Sequence, residues 1–428
     1  MQLPHPAEQI TLNRMEYGLI GEHLAHSFSK NIHGMLSGDS YDLVEIPRDG
    51  LEPFLKKADF QGINVTIPYK EAVMPYLDFI SEEAKAIGAV NTIVNRDGSL
   101  YGYNTDFGGL KAMALETGIS FEGRSVLVLG AGGAAKTAAA VARSLGASAV
   151  TLSSRHPQPG QLSLQTLASQ QHPDINIIIN ATPVGMYPRI DGRVASLDLF
   201  PNLQGVLDCV YNPLRTNLVL DALERGIPAC GGLPMLVYQA CLAREHFTGE
   251  SIGREVWDSV LRSISASKEN IVLCGMPSGG KTTIGRVLAA KTGREVIDTD
   301  QLVRSAQGKE IAQIFRTQGE EAFRQMETDA IASIASRQGL IISLGGGAVL
   351  RPQNVHMLKM NGTIVFIDRP LEKLTPTSDR PLSTDYDKLR AMYQVRRPVY
   401  LKAADVVALN DSTPARCVQN IFEQCSVL

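Results

Sequence analysis

Before residue 262 the chain alternates short apolar, β-branched runs with helix-favouring stretches. Glu16–Gly21, Tyr41–Ile46, Gly62–Ile67 and Val90–Val94 have the length and composition of strands. Ser81–Ile87 predicts a helix, with Ser81 as its cap and two glutamates in its first turn. A second series follows at Ser125–Leu129, Ala149–Ser153, Ile175–Asn180 and Gly205–Cys209, with Ala134–Leu145 a strong helix. A third occupies Ile271–Cys274, Glu295–Asp298, Leu340–Leu344, Thr363–Ile367 and Val406–Leu409, again with helical stretches between. Strand–helix alternation of this kind predicts an α/β protein whose parallel sheets are covered by helices. Residues Arg262–Asn270 are small and polar without Gly or Pro, and read as a short connector between two neighbouring bodies.

Composition narrows the class. At 428 residues, and roughly 100–200 residues per domain, two to four domains are expected. Hydrophobic residues at 44%, charged residues at 20% and a mean hydropathy of −0.03 exclude wholesale disorder and fibrous architectures. No run approaches the ~18 consecutive apolar residues of a membrane span, so no membrane is expected as partner. The first residues lack the basic and apolar regions of a secretory signal. The six cysteines have no C-x-x-C spacing, which fits neither zinc nor a disulfide framework and suits a reducing cytoplasm. Net charge is −3, but the halves differ: 20 basic and 27 acidic residues up to Ala266, 21 and 17 after it. The basic second half suits small anionic ligands, whereas nucleic acid is disfavoured by the lack of any dense basic run.

Two glycine turns carry phosphate chemistry. Val126-Leu-Val-Leu-Gly130-Ala-Gly132-Gly133-Ala134-Ala135 is a strand, a G-x-G-x-x-A turn and an Ala-rich helix. Gly130 permits the tight turn, Gly132 lets backbone N–H groups near a pyrophosphate, and Ala135 allows close helix packing. The helix N-terminus adds about half a positive charge there. The next strand ends Ser153-Ser154-Arg155-His156, with Arg155 where an NAD site carries an acid, so NADP is favoured. A solvated strand-end arginine is the plain alternative. The second turn, Gly275-Met-Pro-Ser278-Gly279-Gly280-Lys281-Thr282-Thr283, fits G-x-x-x-x-G-K-[ST] between a strand and a helix. Backbone N–H groups cradle the phosphates of ATP or GTP, Lys281 reaches the β/γ oxygens, and the Thr282 hydroxyl suits Mg²⁺.

The residues around the first turn resemble shikimate dehydrogenase. His26-Ser27-Phe28-Ser29, Asn64-Val-Thr66-Ile-Pro-Tyr-Lys70, Gly88-Ala-Val-Asn91-Thr92, Asn104-Thr105-Asp106 and Gln239 match that family in order and spacing across about residues 15–262. The resemblance implies that Ser27 and Ser29 bind the substrate carboxylate, and that Asn64, Thr66, Asn91 and Gln239 meet ring hydroxyls. It gives Lys70, paired with Asp106, the proton of the carbonyl oxygen, and a surface lysine is its plain alternative. Lys70 follows a Pro-Tyr turn and is expected to open a helix. Tyr211 is implied beside the substrate, and Thr182, Met186 and Gly232 along the nicotinamide. Ser154 replaces the family's usual Asn before Arg155, and Lys30 its usual Pro after the second serine.

Residues 270–428 resemble shikimate kinase through the P-loop, Asp298-Thr-Asp300, Phe323-Arg324-x-x-Glu327, Gly345-Gly346-Gly347, Arg380-Pro-Leu and Arg396-Arg-Pro-Val-Tyr400. By that resemblance Arg324 and Arg396 grip the shikimate carboxylate, and Asp300 holds ring hydroxyls and promotes the 3-hydroxyl. Asp298 joins the Mg²⁺ shell, the three glycines let backbone approach the substrate, and Arg380 arrives on a mobile lid. For Arg324 the plain alternative is an i,i+3 salt bridge with Glu327. The family's extra Arg before the lid is missing.

Together the resemblances imply a bifunctional enzyme: NADPH-dependent reduction of 3-dehydroshikimate, then ATP-dependent phosphorylation of shikimate. The implied architecture has a substrate domain at 1–107 and 233–265, a Rossmann NADP domain at 108–232, and a P-loop kinase with a five-stranded parallel sheet at 268–428. A monomer or a homodimer fits equally. The alternative is a quinate/shikimate dehydrogenase carrying a nucleotide-binding regulatory module without turnover.

Overall fold

The three series of apolar runs form three separate sheets in the computed structural model, which describes residues 15–24, 28–376 and 385–425. The first contains Met15–Gly21, Tyr41–Glu45, Phe60–Val65, Phe79–Ile80, Thr92–Arg96 and Ser99–Tyr103. It is mixed, not parallel as the alternation predicts. Met15–Gly21 runs parallel to Tyr41–Glu45 and Phe60–Val65, but Phe60–Val65, Thr92–Arg96 and Ser99–Tyr103 are successively antiparallel. The cause is Asp97-Gly98, whose φ values of +52° and +92° make the tight turn that joins two hairpin strands. Ile20, Phe60, Ile63 and Ile93 are fully buried beneath helix Leu51–Lys57 and its neighbours.

The second sheet places Gly205–Asp208, Ile177–Asn180, Ser125–Leu129, Ala149–Ser154 and Leu162–Ser163 side by side, all parallel. Val126–Leu129 and Ile177–Ile179 have no exposure, which explains why these runs are apolar throughout rather than alternating. In the third sheet the order is Val296–Asp298, Ile341–Ser343, Asn270–Cys274, Gly362–Asp368 and Val406–Leu409, five strands and all parallel, as expected. Its central strand ends at the P-loop, with Asp298, Ser343 and Asp368 closing the neighbouring strands at the same edge. Ligands of open α/β sheets collect at that carboxyl edge.

The connector read at 262–270 is instead the end of helix Arg254–Lys268. Without Gly or Pro nothing stops the helix, and Val260 and Ile264, four apart, share one buried face. The chain divides into two compact units: Met1–Thr182, Ala195–Cys209 and Pro234–Val260 form one, and Pro183–Val194, Val210–Leu233 and Leu261–Leu428 the other. Among the described residues no helix is long and apolar enough to cross a membrane.

One buried group sets a pH dependence. His33, on helix Ser29–Leu36, is 3% exposed and stacks on Tyr41 at 4.0 Å between ring centroids. Burial first, then the Arg244 charge, holds its imidazole down to about 3, with a hydrogen bond to Asn64 opposing. The unfolded chain takes up the proton below about pH 6.5 while the folded one does not. Its contribution is therefore complete above pH 6.5 and is lost as pH falls toward 3, at about 1.4 kcal/mol per pH unit. A His33→Gln variant should show a flatter denaturation midpoint between pH 6.5 and 4 than the parent. Equal slopes would mean that His33 is protonated in the native protein.

Candidate active sites

Lys70 follows the turn after Phe60–Val65, and Asp106 lies in the first turn of helix Thr105–Glu116. Their side chains meet, Lys70 Nζ donating to Asp106 Oδ2 at 2.6 Å, with 22% and 12% of each exposed. Asn104 caps the helix: its Oδ1 accepts from the Phe107 N–H at 3.2 Å while its Nδ2 donates to Ala89 O at 2.9 Å. Lys70 opens no helix. The turn after it leads only to the short 3₁₀ segment Met74–Tyr76, because Pro75 cannot donate to a continuing α-helix. The backbone of Lys70 is nonetheless fixed, since its carbonyl accepts from the Val90 N–H at 2.8 Å.

The neutral side chains form one buried network beside this pair. The Tyr41 hydroxyl donates to Asn64 Oδ1 at 2.8 Å, and Asn64 Nδ2 donates to Thr92 Oγ1 at 3.0 Å. Asn91 accepts from the Thr105 N–H at 2.7 Å and donates to Thr105 Oγ1 at 3.0 Å. Thr105 Oγ1 also donates to Gln239 Oε1 at 3.4 Å. Gly109 is what lets helix Leu233–Thr248 bring Gln239 so close, for a Cβ there would lie 2.7 Å from Met235 O and 2.9 Å from Gln239 Cβ. Ser29, buried, hydrogen-bonds Tyr41, and the Thr66 N–H donates to Ile20 O at 2.9 Å. The sequence carries no signal for Tyr41 here, and Thr92 and Thr105 stand in their motifs without an expected role. Cys209 senses the same charges: burial pushes its thiol well up, Asp208 and Asp106 add to this, and Lys70 opposes. It remains a neutral thiol rather than a nucleophile.

At the dinucleotide turn, Gly130 has φ +121° and its N–H donates to Ser153 O at 2.7 Å; a Cβ would lie 3.0 Å from Ala181 O. Gly132 caps helix Gly133–Ser144, and no protein atom lies within 4 Å of where its Cβ would be. Packing therefore does not demand glycine there. Ala134 is partly exposed at the same helix start, while Ala135 is fully buried, as tight helix packing requires. Thr182 leans back on its own strand, its hydroxyl donating to Asn180 Oδ1 at 2.7 Å. Ser154 donates to Gln161 Oε1 at 3.3 Å, and Arg155 is exposed. These residues fit NADP. Arg155→Ala should weaken NADPH binding far more than NADH binding, measured by titrating each cofactor. Equal losses would mean that Arg155 does not read the 2′-phosphate.

The third sheet carries the other phosphate site. Gly275 has φ +143° and room for no Cβ, which would sit 2.7 Å from Ile367 O. Ser278 takes φ +60°, and Gly280 caps helix Lys281–Thr292. Lys281 is buried and donates to Gly275 O at 2.9 Å and Met276 O at 3.0 Å. Asn410, from the far end of the sheet, braces the loop by donating to Gly279 O at 2.9 Å. Thr282 and Thr283 open the helix exposed, and Thr282 Oγ1 donates to Asp298 Oδ2 at 3.2 Å. A hydroxyl and a carboxylate so placed are oxygen ligands that suit Mg²⁺.

A cavity of about 520 Å³ beside this loop is lined by Thr282, Asp298, Asp300, Arg324, Gly346, Gly347 and Arg396, among others. Arg324 does form the i,i+3 pair with Glu327, at 2.8 Å, but with 9% and 1% of the side chains exposed it is no surface bridge. Burial pushes the Glu327 carboxyl above its ordinary range, Arg324 opposes, and Asp300 adds. Its Oε1 has no hydrogen-bond partner among the described residues. A side chain at Gly345 or Gly347 would displace the charged groups beside it. A Cβ on Gly345 would lie 2.4 Å from both Asp300 Oδ1 and Glu327 Oε1, and one on Gly347 would lie 2.0 Å from Arg324 Nη1. Gly346 O accepts from Arg396 Nη1 at 3.2 Å and from the Tyr400 hydroxyl at 2.5 Å. Ser27 and Arg380 lie outside the described residues. Tyr211, Met186 and Gly232 are counted in the second unit, and Lys70 and Asp106 in the first.

Comparison with known proteins agrees in both halves. A family model for shikimate kinase matches residues 277–426, and one for the shikimate dehydrogenase substrate binding domain matches residues 19–93. The chain is similar to the NADP(+) shikimate dehydrogenase of Clostridium beijerinckii, with 39% identity over 243 residues, covering 54% of this chain and 90% of that protein. Its structure is similar to shikimate dehydrogenase 1 from Peptoclostridium difficile, with 36% identity and a TM-score of 0.54, covering 58% and 97% of the two chains. The shikimate 5-dehydrogenase of Thermus thermophilus, solved with NADP(H) and shikimate, gives 32% identity and a TM-score of 0.52, covering 58% and 98%.

Proposed function

The chain belongs to the shikimate dehydrogenase family and continues into a shikimate kinase domain, and from that premise we propose which residues carry its two reactions. It is a bifunctional shikimate-pathway enzyme that uses NADP(H) and ATP with Mg²⁺. NADPH supplies the hydride, ATP the phosphoryl group, and Mg²⁺ neutralises phosphate charge.

In the first reaction Lys70 gives its proton to the carbonyl oxygen of 3-dehydroshikimate as the hydride arrives. Asp106 holds the ammonium in place, which the 2.6 Å contact supports. Asn64, Thr66, Asn91 and Gln239 orient the ring hydroxyls, and the network through Tyr41, Thr92 and Thr105 keeps their amides from rotating. Ser27 and Ser29 take the carboxylate, Tyr211 adds a hydroxyl, and Thr182, Met186 and Gly232 line the nicotinamide. Gly130–Ala135, Ser154 and Arg155 hold the rest of the dinucleotide.

In the second reaction Arg324 and Arg396 grip the shikimate carboxylate, a match of planar forks to an anion. Glu327 fixes Arg324. Asp300 accepts from the ring hydroxyls and draws the 3-hydroxyl toward attack. Lys281, Thr282, Asp298 and the backbone of 275–283 hold MgATP, and Arg380 closes over the transferring group. The domains follow the three sheets, at 1–107 with 233–265, 108–232, and 268–428. We place the enzyme in the cytoplasm, since all six of its cysteines are free, and as a monomer or homodimer.

The observation that carries the reading is the single cavity where Asp300, Arg324 and Arg396 join Thr282 and Asp298. A regulatory nucleotide module needs no such acceptor set. The test supplies 3-dehydroshikimate, NADPH and MgATP together and resolves shikimate and its 3-phosphate. Product that stops at shikimate would refute the kinase.

A further inference from the structure

Within the second unit, the loop that follows strand Gly205–Asp208 is fastened to the start of strand Gly362–Asp368. The Leu214 N–H donates to Asn361 Oδ1 at 3.0 Å, and the Arg215 N–H to Met360 O at 2.9 Å. The Arg215 guanidinium then reaches three acceptors: Nε donates to Lys359 O at 2.7 Å, and Nη2 to Gly362 O at 2.9 Å and to Glu269 Oε1 at 2.7 Å. Gln338 Nε2 donates to Asn212 Oδ1 at 3.2 Å.

The receiving surface is rigid. Asn361 is 1% exposed and donates to Ala335 O, while its carbonyl accepts from the Asn270 N–H. Glu269 is 6% exposed and its Oε1 also accepts from the Thr363 hydroxyl at 2.7 Å. Lys359 ends helix Pro352–Lys359, so Arg215 sits at the negative end of that dipole. A guanidinium whose fork is filled by fixed carbonyls and a buried carboxylate cannot slide without leaving them unpaired.

The same loop reaches the residues assigned to the dehydrogenase. Tyr211 is four positions before Arg215, and Val210 O accepts from the Gly232 N–H at 2.8 Å. Gly231 has no room for a Cβ, which would lie 2.3 Å from Leu214 O. We propose that Arg215 is a positioning residue of the dehydrogenase: anchored on Glu269 and the 359–362 carbonyls of the kinase half, it sets where Tyr211 and Gly232 stand. This rests on the reading that Tyr211 meets shikimate. The kinase half thus serves as scaffold for a loop of its partner activity.

The test uses the full chain and measures both activities on each variant. Arg215→Ala should raise the dehydrogenase KM for shikimate roughly tenfold, the order expected from losing charge-assisted hydrogen bonds. The kinase kcat and its KM for shikimate and ATP should not change. Glu269→Gln, a change in kinase sequence, should move the dehydrogenase KM in the same direction, and Arg215→Lys should restore part of the loss. An unchanged dehydrogenase KM in Arg215→Ala would overturn the inference, as would a parallel fall of both activities with Tm. Tyr211→Phe separates the two layers. If it leaves the dehydrogenase KM unaltered, the reading of Tyr211 falls and the inference with it. If it raises KM while Arg215→Ala does not, the inference alone falls.

Discussion

Replacing Lys70 by Ala should cut dehydrogenase turnover by roughly 10²–10⁴-fold, the usual worth of positioned acid–base help. Among the described residues Lys70 is bonded to Asp106 and to the Val90 N–H, not to the dinucleotide turn, so the dissociation constant for NADPH should stay near its parent value. The variant also leaves Asp106 without its partner in a largely buried place. Its Tm should fall modestly, in keeping with about 1–3 kcal/mol for an unsatisfied buried acceptor. Lys70→Arg separates charge from proton delivery. The guanidinium still pairs with Asp106 but holds its proton too firmly to give it up, so stability should return while turnover stays low. Steady-state rates beside thermal melts decide the matter, and a Lys70→Ala enzyme at parental speed would remove this residue from the mechanism.

Asp300→Asn should silence the other half. Asp300 lies in the first turn of helix Thr299–Gln307 and lines the cavity, and it is not part of the 275–283 loop whose backbone is assigned to the phosphates. ATP binding should therefore persist, measured by direct titration. Shikimate phosphorylation should fall by roughly 10²–10⁴-fold, because the acceptor hydroxyl loses its anionic partner. A variant as active as its parent would mean that another group draws the hydroxyl proton. Glu327 is the next candidate, with its raised carboxyl and unpaired Oε1.

The two glycine turns were legible because their chemistry is contiguous: strand, glycines and helix follow within a dozen residues. The Asp97-Gly98 hairpin was legible as well, since the dipeptide sits between two β-rich runs, yet the reading of uniform strand–helix alternation passed over it. Helix Arg254–Lys268 was obscured by its small polar residues, although Val260 and Ile264 already carry a helical spacing. Other features had no local signal. Asn410 reaches Gly279 across 131 residues, and Arg215 reaches Glu269 across 54. An isolated Asn at a strand end, or an Arg after a Pro-Leu pair, looks like any surface polar residue until the sheet is assembled. Tyr41 belongs to the same class, because only burial shows that its hydroxyl is committed to Asn64.

We propose that one chain holds two successive and separable active sites. Product analysis of three full-length proteins, each given 3-dehydroshikimate, NADPH and MgATP, tests it most directly. The parent should yield shikimate 3-phosphate. Asp300→Asn should accumulate shikimate, and Lys70→Ala should form both products roughly 10²–10⁴-fold more slowly yet phosphorylate shikimate added from outside at the parental rate. Loss of phosphorylation of added shikimate in Lys70→Ala, or shikimate 3-phosphate made at the parental rate by Asp300→Asn, would contradict the account.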